Sequence, residues 1–227
     1  MAIDAVSGRT IATIGKAGDP GAHVFRALVD PVANRVYVSI PEPASRIWVI
    51  DGATHTIAHE ITNVGGRSTG LALDTRRNRL FTCSIASSEI IEIDLATRQV
   101  VRRFASGGAG TTHLEYDGAA DRLYASHQRS GTVTALDVAS GKVVETIATG
   151  DGALGLALDT ARQRLYVTNR GAETVSVIDT RTLTVIETRT GGTRPNTVAV
   201  DPRTGVAYVT FKSREGSPDR VGRIAPD

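Results

Sequence analysis

Several residue types are scarce in this chain, and each scarcity excludes a class of protein. The single cysteine, Cys83, rules out an intramolecular disulfide, and no suitably spaced histidine offers it a metal partner. Aromatic residues make up 4% of the 227 residues, so the core must be built from Val, Ile, Leu and Ala, which suits β-sheets. No apolar run approaches the roughly 20 residues of a membrane-spanning helix.

An excess of charge of one sign is also lacking. The chain has 26 basic and 24 acidic residues and a formal net charge of +2, so bulk electrostatics do not favour nucleic-acid binding. The first residues show no basic region followed by an apolar stretch, so no secretory signal is recognisable and the compartment stays open. We expect a monomer without cofactor or metal.

The chain does contain a repeat with a period of about 43 residues. One aspartate recurs at spacings of 44, 43, 42 and 42 residues, at Asp30, Asp74, Asp117, Asp159 and Asp201. A second series follows the same period, at Asp4, Asp51, Asp94, Asp137 and Asp179. A carboxylate at one place in every repeat, often three residues before a hydroxyl, is typical of a turn and not of catalysis.

Each repeat contains four short β-type runs separated by turn residues. The clearest repeat has Gly155–Asp159, Arg164–Asn169 and Thr174–Asp179, and the fourth run is seen in Val143–Ile147 of the repeat before it. Four strands in a period of this length predict an all-β propeller of four-stranded blades. We predict one domain, residues 1–227, with five blades near 23–66, 67–109, 110–151, 152–193, and 194–227 together with 1–14.

The two ends of the chain complement each other in this pattern. The last repeat has three strand-like runs and no fourth, whereas Arg9–Ile14 aligns with the fourth-strand segment Lys142–Ile147. We therefore predict that the N-terminal strand closes the last blade and removes an exposed sheet edge. The alternative is that the chain is a fragment of a six- or seven-bladed propeller.

The segments Arg164-Leu-Tyr-Val-Thr-Asn169 and Thr174-Val-Ser-Val-Ile-Asp179 resemble the signature of the YVTN-repeat (YncE-like) β-propeller family. The resemblance covers essentially the whole chain and weakens in the middle copies. It implies a rigid propeller, frequently seven-bladed and periplasmic or extracellular, that in most members has no assigned catalytic activity and is inferred to bind a ligand or partner.

Candidate functional residues are those that depart from the chain's own repeat. The relevant positions lie four and two residues before each aspartate of the first series. Most copies have Gly or Ala there, but the first repeat has Arg26 and the third has His113 and Glu115. These positions share one face of the innermost strand because side chains alternate along a strand. Strand ends and loops at the same end of the blades supply further polar residues. The complete predicted ligand site is Arg26, Arg67, His113, Glu115, His127, Asn169 and Arg194.

These residues favour a non-catalytic binding scaffold that recognises a polar or anionic ligand, or a protein partner, at one mouth of the channel. A structural alternative is that Arg26, His113 and Glu115 neutralise one another inside the channel. An enzyme alternative, a lactonase-like hydrolase or lyase, needs a metal cage or an acid/base pair, and Glu115 is the single carboxylate that the alignment directs to the channel. The Gly-rich loops lack the Gly-Lys-Ser/Thr of a phosphate-binding loop. A surface module within a larger assembly is the third alternative.

Overall fold

The computed structural model describes residues 1–15, 22–42, 44–190, 192–213 and 218–226, and these residues form strands and turns with no helix. An N-terminal hairpin comprises β1 (Ala2–Ile3) and β2 (Thr10–Ala12). Blade one comprises β3 (Arg26–Asp30), β4 (Arg35–Ile40), β5 (Arg46–Asp51) and β6 (Thr56–Ile61). Blade two comprises β7 (Ser68–Asp74), β8 (Arg79–Ser84), β9 (Glu89–Asp94) and β10 (Gln99–Ala105).

The remaining three blades repeat this order. Blade three comprises β11 (Thr111–Asp117), β12 (Arg122–His127), β13 (Thr132–Asp137) and β14 (Val143–Ala148). Blade four comprises β15 (Ala153–Asp159), β16 (Arg164–Asn169), β17 (Thr174–Asp179) and β18 (Thr184–Thr190). Blade five comprises β19 (Pro195–Val200), β20 (Ala207–Phe211) and β21 (Arg220–Ile224). The strands of each blade pair antiparallel in chain order, so the predicted all-β propeller with five blades is confirmed.

The hydrophobic core lies between successive blades. Tyr37 and Val49 of blade one pack with Leu80 and Ile93 of blade two, and equivalent clusters join each later pair. The first strands of adjacent blades also pack against each other, which places them innermost and makes them line the channel. One position of the second strand buries an aromatic ring in four blades, at Tyr37, Phe81, Tyr124 and Tyr166.

Both aspartate series form turns, as the sequence predicts. Asp30 Oδ1 accepts hydrogen bonds from the backbone N–H groups of Val32 and Ala33, each at 3.0 Å. In the second series, Asp51 Oδ1 accepts one from Thr54 N at 3.0 Å, and this bond is the main reason that the Asp51 pKa falls to about 2. These aspartates therefore fix the hairpins and have no part in the channel.

The N-terminal strand does not complete the last blade, contrary to the sequence-based prediction. Strand β2 pairs with β1 in a separate two-stranded sheet, and Ile14 packs near Val38 and Trp48 of blade one. Asp4 closes this hairpin by accepting a hydrogen bond from Ser7 N at 2.6 Å. A short local hairpin closes at a lower entropic cost than a pairing with residues two hundred positions away, and the fourth-strand pattern suits either neighbour. Within the described residues, the innermost strands of the first and last blades, β3 and β19, do not pack extensively against each other. Separately, these residues contain no helix that is long and apolar enough to cross a membrane.

Candidate functional site

A cluster of three polar side chains links blade one to blade three across the channel. Arg26 of β3 donates from Nη2 to Glu115 Oε1 of β11 at 3.2 Å, and its Nη1 lies 3.5 Å from Nδ1 of His113. His113 Nε2 lies 3.4 Å from the same Glu115 oxygen. The structure thus brings together the three residues that break the repeat in the innermost strands. We call them the channel cluster.

Small residues of blade two lie between the two halves of the channel cluster. Gly70 and Ala72 of β7 occupy the positions of Arg26 and Leu28 in blade one. A Cβ atom at Gly70 would lie 2.9 Å from Leu114 N and 3.0 Å from His113 Cα, closer than atoms pack. The absence of a side chain at Gly70 therefore allows β7 to approach β11. It also leaves Arg26 a path to the third blade.

The hydrogen bonds around His113 determine which nitrogen of its ring carries the proton. Its Nδ1 accepts from the backbone N–H of Leu156 at 3.4 Å, a group freed by a β-bulge in β15. A nitrogen that accepts a hydrogen bond carries no proton, so the proton of the neutral ring is on Nε2 and faces Glu115. Burial lowers the pKa of His113, and the nearby Arg26 lowers it further while Glu115 opposes the change. At neutral pH the ring is therefore an uncharged donor.

Two donors of the channel cluster remain without a hydrogen bond. Arg26 Nε and His113 Nε2 are both buried, and neither has a hydrogen-bond partner among the described residues. The 3.4 Å contact of His113 Nε2 with Glu115 is an electrostatic contact and not an aligned hydrogen bond. A buried donor without a partner is destabilising, so such groups are rare unless a water or ligand satisfies them. The side chains of Arg26 and Glu115 are 28% and 24% exposed, so the channel reaches the cluster.

His127 and Asn169 lie apart from the channel cluster in hydrogen-bond sets of their own. Each is fully buried at the end of a second strand. His127 contacts Thr111 Oγ1 at 3.1 Å and Thr134 Oγ1 at 2.8 Å. Asn169 Nδ2 donates to Thr149 O at 3.2 Å. Asn169 thus holds the loop that leads into β15, whereas His127 joins β11 to β13 within blade three.

Arg67 and Arg194 lie in the loops before β7 and β19. Both have positive φ, 53° and 52°, at the position occupied by Gly110 and Gly152 in the loops before β11 and β15. Glycine adopts this conformation without strain, whereas in an arginine it is sterically strained. Arg67 Nε forms an exposed ion pair with Glu42 at 3.3 Å, and Arg194 is exposed. We call these two residues the loop arginines.

The backbone N–H of Leu156, which sets the His113 tautomer, could not be predicted from the sequence. No residue type signals a β-bulge there, so only the pairing register shows it. Among the described residues, no three His, Cys, Asp or Glu side chains are grouped to hold a metal ion. The arrangement can therefore supply fixed N–H donors to a small acceptor molecule, beside a guanidinium charge that is paired with Glu115.

The fold and the channel cluster define a β-propeller with a polar site in its channel, and comparisons with known proteins agree with the fold. The family model described as YNCE-like beta-propeller matches residues 44–215. Because this match covers most of the chain, the protein belongs to the YNCE-like β-propeller family.

Some known proteins are similar to this chain in sequence, and a solved structure is similar to it in fold. The protein YncE of Salmonella typhi and that of Escherichia coli K12 are each 42% identical to this chain over 64 residues, which are 28% of this chain and 18% of the relative. A chain of Kuenenia stuttgartiensis hydrazine synthase superposes with a TM-score of 0.81 at 17% identity, over 97% of this chain and 67% of that one. The chain thus spans about two thirds of that structure, and at this identity the likeness shows the fold alone.

Proposed function

We propose that this propeller is a non-catalytic binding module that holds a small anionic ligand at the channel cluster. The observation that supports this proposal is the pair of buried donors, Arg26 Nε and His113 Nε2, that have no hydrogen-bond partner in the part of the chain that the structure describes. A carboxylate or phosphate oxygen placed beside them would accept both hydrogen bonds and face the guanidinium charge of Arg26. Charge-assisted hydrogen bonds of this kind are roughly twice as strong as neutral ones.

Comparison of the channel cluster with the same positions in the other blades supports a role in binding. Blades two and four have Gly70 and Gly155 where blade one has Arg26, and blade five has Thr197. The fold is thus built in other blades without a charge at this position. Removing two charges and two donors from water is unfavourable unless their interactions compensate, and the protein partners of Arg26 and His113 compensate only in part. A bound anion would supply the rest.

A hydrolase has less support from the same geometry. Among the described residues, the polar groups in contact with the His113 ring are Arg26, Glu115 and the Leu156 amide, and none of these is a nucleophile that His113 could activate. Glu115 is also engaged by Arg26 at 3.2 Å. These groups are suited to recognising a hydrogen-bond acceptor on a ligand, and not to cleaving a bond.

The test is calorimetric titration with inorganic phosphate and with succinate, and with glucose as the neutral comparison. We expect saturable binding of at least one anion and none of glucose. The double variant Arg26→Thr with Glu115→Ala takes its residues from the other blades and leaves the net charge unchanged. It should weaken anion binding by at least about tenfold, because one charge-assisted hydrogen bond contributes roughly 1.5–3 kcal/mol.

Two control variants distinguish anion binding at the channel cluster from a general effect of the protein's positive charges. Arg67→Gly gives the loop the glycine found in blades three and four, so it should keep the fold and tests whether the loop arginines contribute. Arg203→Thr removes an arginine that is 88% exposed at the other end of the strands, and it should bind as the parent does. Unchanged binding in the double variant, or no binding of either anion by the parent protein, would rule out the channel cluster as the site.

A further inference from the structure

Glu115 uses only one of its two carboxylate oxygens within the channel cluster. Arg26 Nη2 donates to Oε1 at 3.2 Å, and His113 Nε2 lies 3.4 Å from the same atom. Among the described residues, no group forms a hydrogen bond with Oε2, and the side chain is 24% exposed. The same position in the adjacent blades is occupied by Ala72 and Ala157, which have no polar side-chain atom. Oε2 is therefore an acceptor that a molecule in the channel can reach.

The channel cluster thus presents two free donors beside one free acceptor. Arg26 Nε and His113 Nε2 lack hydrogen-bond partners within the described ranges, and Oε2 belongs to the carboxylate that both residues contact through Oε1. An anion without a hydrogen to donate could satisfy the two donors, but its negative charge would lie beside Oε2, where like charges repel. A ligand that carries a hydrogen-bond donor next to its own charge avoids this repulsion.

The electrostatics of the cluster favour an uncharged donor over a second cation. The charge of Glu115 is already paired with the Arg26 guanidinium at 3.2 Å. Burial lowers the pKa of His113, and the nearby Arg26 charge lowers it further, in spite of Glu115. A second positive charge is therefore unfavourable here, and an ammonium group on the ligand would be repelled by Arg26 in the same way. A hydroxyl group donates a hydrogen bond without adding charge.

We propose that the ligand of the channel cluster is a 2-hydroxycarboxylate, an inference that rests on the anion-binding function proposed above. The ligand's carboxylate accepts hydrogen bonds from Arg26 Nε and His113 Nε2. Its hydroxyl group, on the adjacent carbon atom, donates to Glu115 Oε2. A site that provides an acceptor for a ligand hydroxyl discriminates against the analogue without it, because that acceptor is then left unpaired. Arg26 thus recognises the charge of the ligand, and Glu115 recognises its hydroxyl group.

The test is calorimetric titration of the intact chain at neutral pH with glycolate, acetate and glycine. These three carboxylates differ only in whether the second carbon carries a hydroxyl group, a third hydrogen or an ammonium group. We expect glycolate to bind at least about tenfold more tightly than acetate, because a hydrogen bond to a charged carboxylate is stronger than one between neutral groups. Glycine should also bind more weakly than glycolate.

The variant Glu115→Ala tests whether Oε2 recognises the hydroxyl group. It introduces the residue found at Ala72 and Ala157, so it should fold, and thermal unfolding verifies this. Glycolate and acetate should then bind equally. Glu115→Gln is a second variant that keeps the shape and removes the charge, and it should reduce the preference for glycolate at least about threefold. Glu145→Ala, the same change at an exposed position of the outermost strand β14, should retain the parental preference.

Four outcomes would overturn the proposal. They are acetate binding as tightly as glycolate, glycine binding most tightly, no binding of glycolate, and a preference for glycolate that persists in Glu115→Ala. Titration with phosphate and succinate distinguishes this failure from failure of the proposed function. If either of these anions binds at the channel cluster, only the 2-hydroxycarboxylate is wrong, whereas if no anion binds, both proposals are wrong.

Discussion

Replacing Gly155 with alanine should lower the free energy of unfolding by about 2–3 kcal/mol, the upper range for overpacking. A Cβ atom at this position would lie 2.9 Å from Asn196 O and 2.9 Å from Thr168 Oγ1, so the innermost strands of blades four and five would have to move apart. Because a propeller core lies between blades, that movement also loosens the cluster around Val198 and Ala157. Denaturant unfolding of the two proteins measures the difference.

Gly15→Ala is the matched control for this prediction. A Cβ atom at Gly15 meets no atom within 4 Å, and its backbone is not in the left-handed region. The control should therefore change the free energy of unfolding by less than about 0.5 kcal/mol. Equal stabilities of the Gly155→Ala variant and the control would show that the blades do not approach as closely as the structure has them.

Lowering the pH from 7 to 4 should remove about 3 kcal/mol of stability through His127 alone. Burial lowers the pKa of His127 to about 4, whereas an unfolded histidine titrates near 6.5. As the pH falls below 6.5, the unfolded chain takes up the proton first, so the unfolded state is stabilised relative to the folded state. The contribution is complete above pH 6.5 and is lost as the pH falls to 4. Burial also lowers the pKa of His113, which adds in the same direction.

The variant His127→Asn isolates this effect. Asn169 occupies the equivalent position in blade four and donates to Thr174 Oγ1. The blade-three counterpart of that hydroxyl, Thr132 Oγ1, is buried and has no hydrogen-bond partner in the described ranges of the chain. The asparagine can therefore keep the loop in place and satisfy Thr132. We expect near-parental stability at pH 7 and a much smaller loss at pH 4, measured by denaturant unfolding at each pH. The exposed His59→Asn should retain the parental pH dependence, and a parental loss in His127→Asn would contradict the assignment.

Most of the fold could be predicted from the sequence because it depends on local features that recur. Each aspartate turn is fixed by residues two or three positions away, as in Asp30 with Val32 and Ala33. The period then gives the number of blades. The position of the N-terminal strand could not be predicted in the same way, because β2 suits either a hairpin with β1 or an open blade edge.

The candidate site was predictable only in part. The repeat identifies Arg26, His113 and Glu115 as exceptions on one face, and the structure brings them within 3.5 Å of one another. The repeat could not show that His127 and Asn169 form hydrogen bonds within their own blade, away from the channel cluster. Both lie at strand ends, where the direction of a side chain depends on which neighbouring atoms form hydrogen bonds with it. The role of Gly70 also needed the structure, since a glycine in a strand has several causes.

Side-chain nitrogen NMR is the most direct test of anion binding at the channel cluster. The protein labelled with nitrogen-15 is titrated with inorganic phosphate while the signals of Arg26 Nε and His113 Nε2 are followed. The proposal predicts that both signals shift together and saturate at the calorimetric Kd, while the signal of the buried His127 stays unchanged. Saturable phosphate binding that leaves Arg26 and His113 unshifted would contradict it.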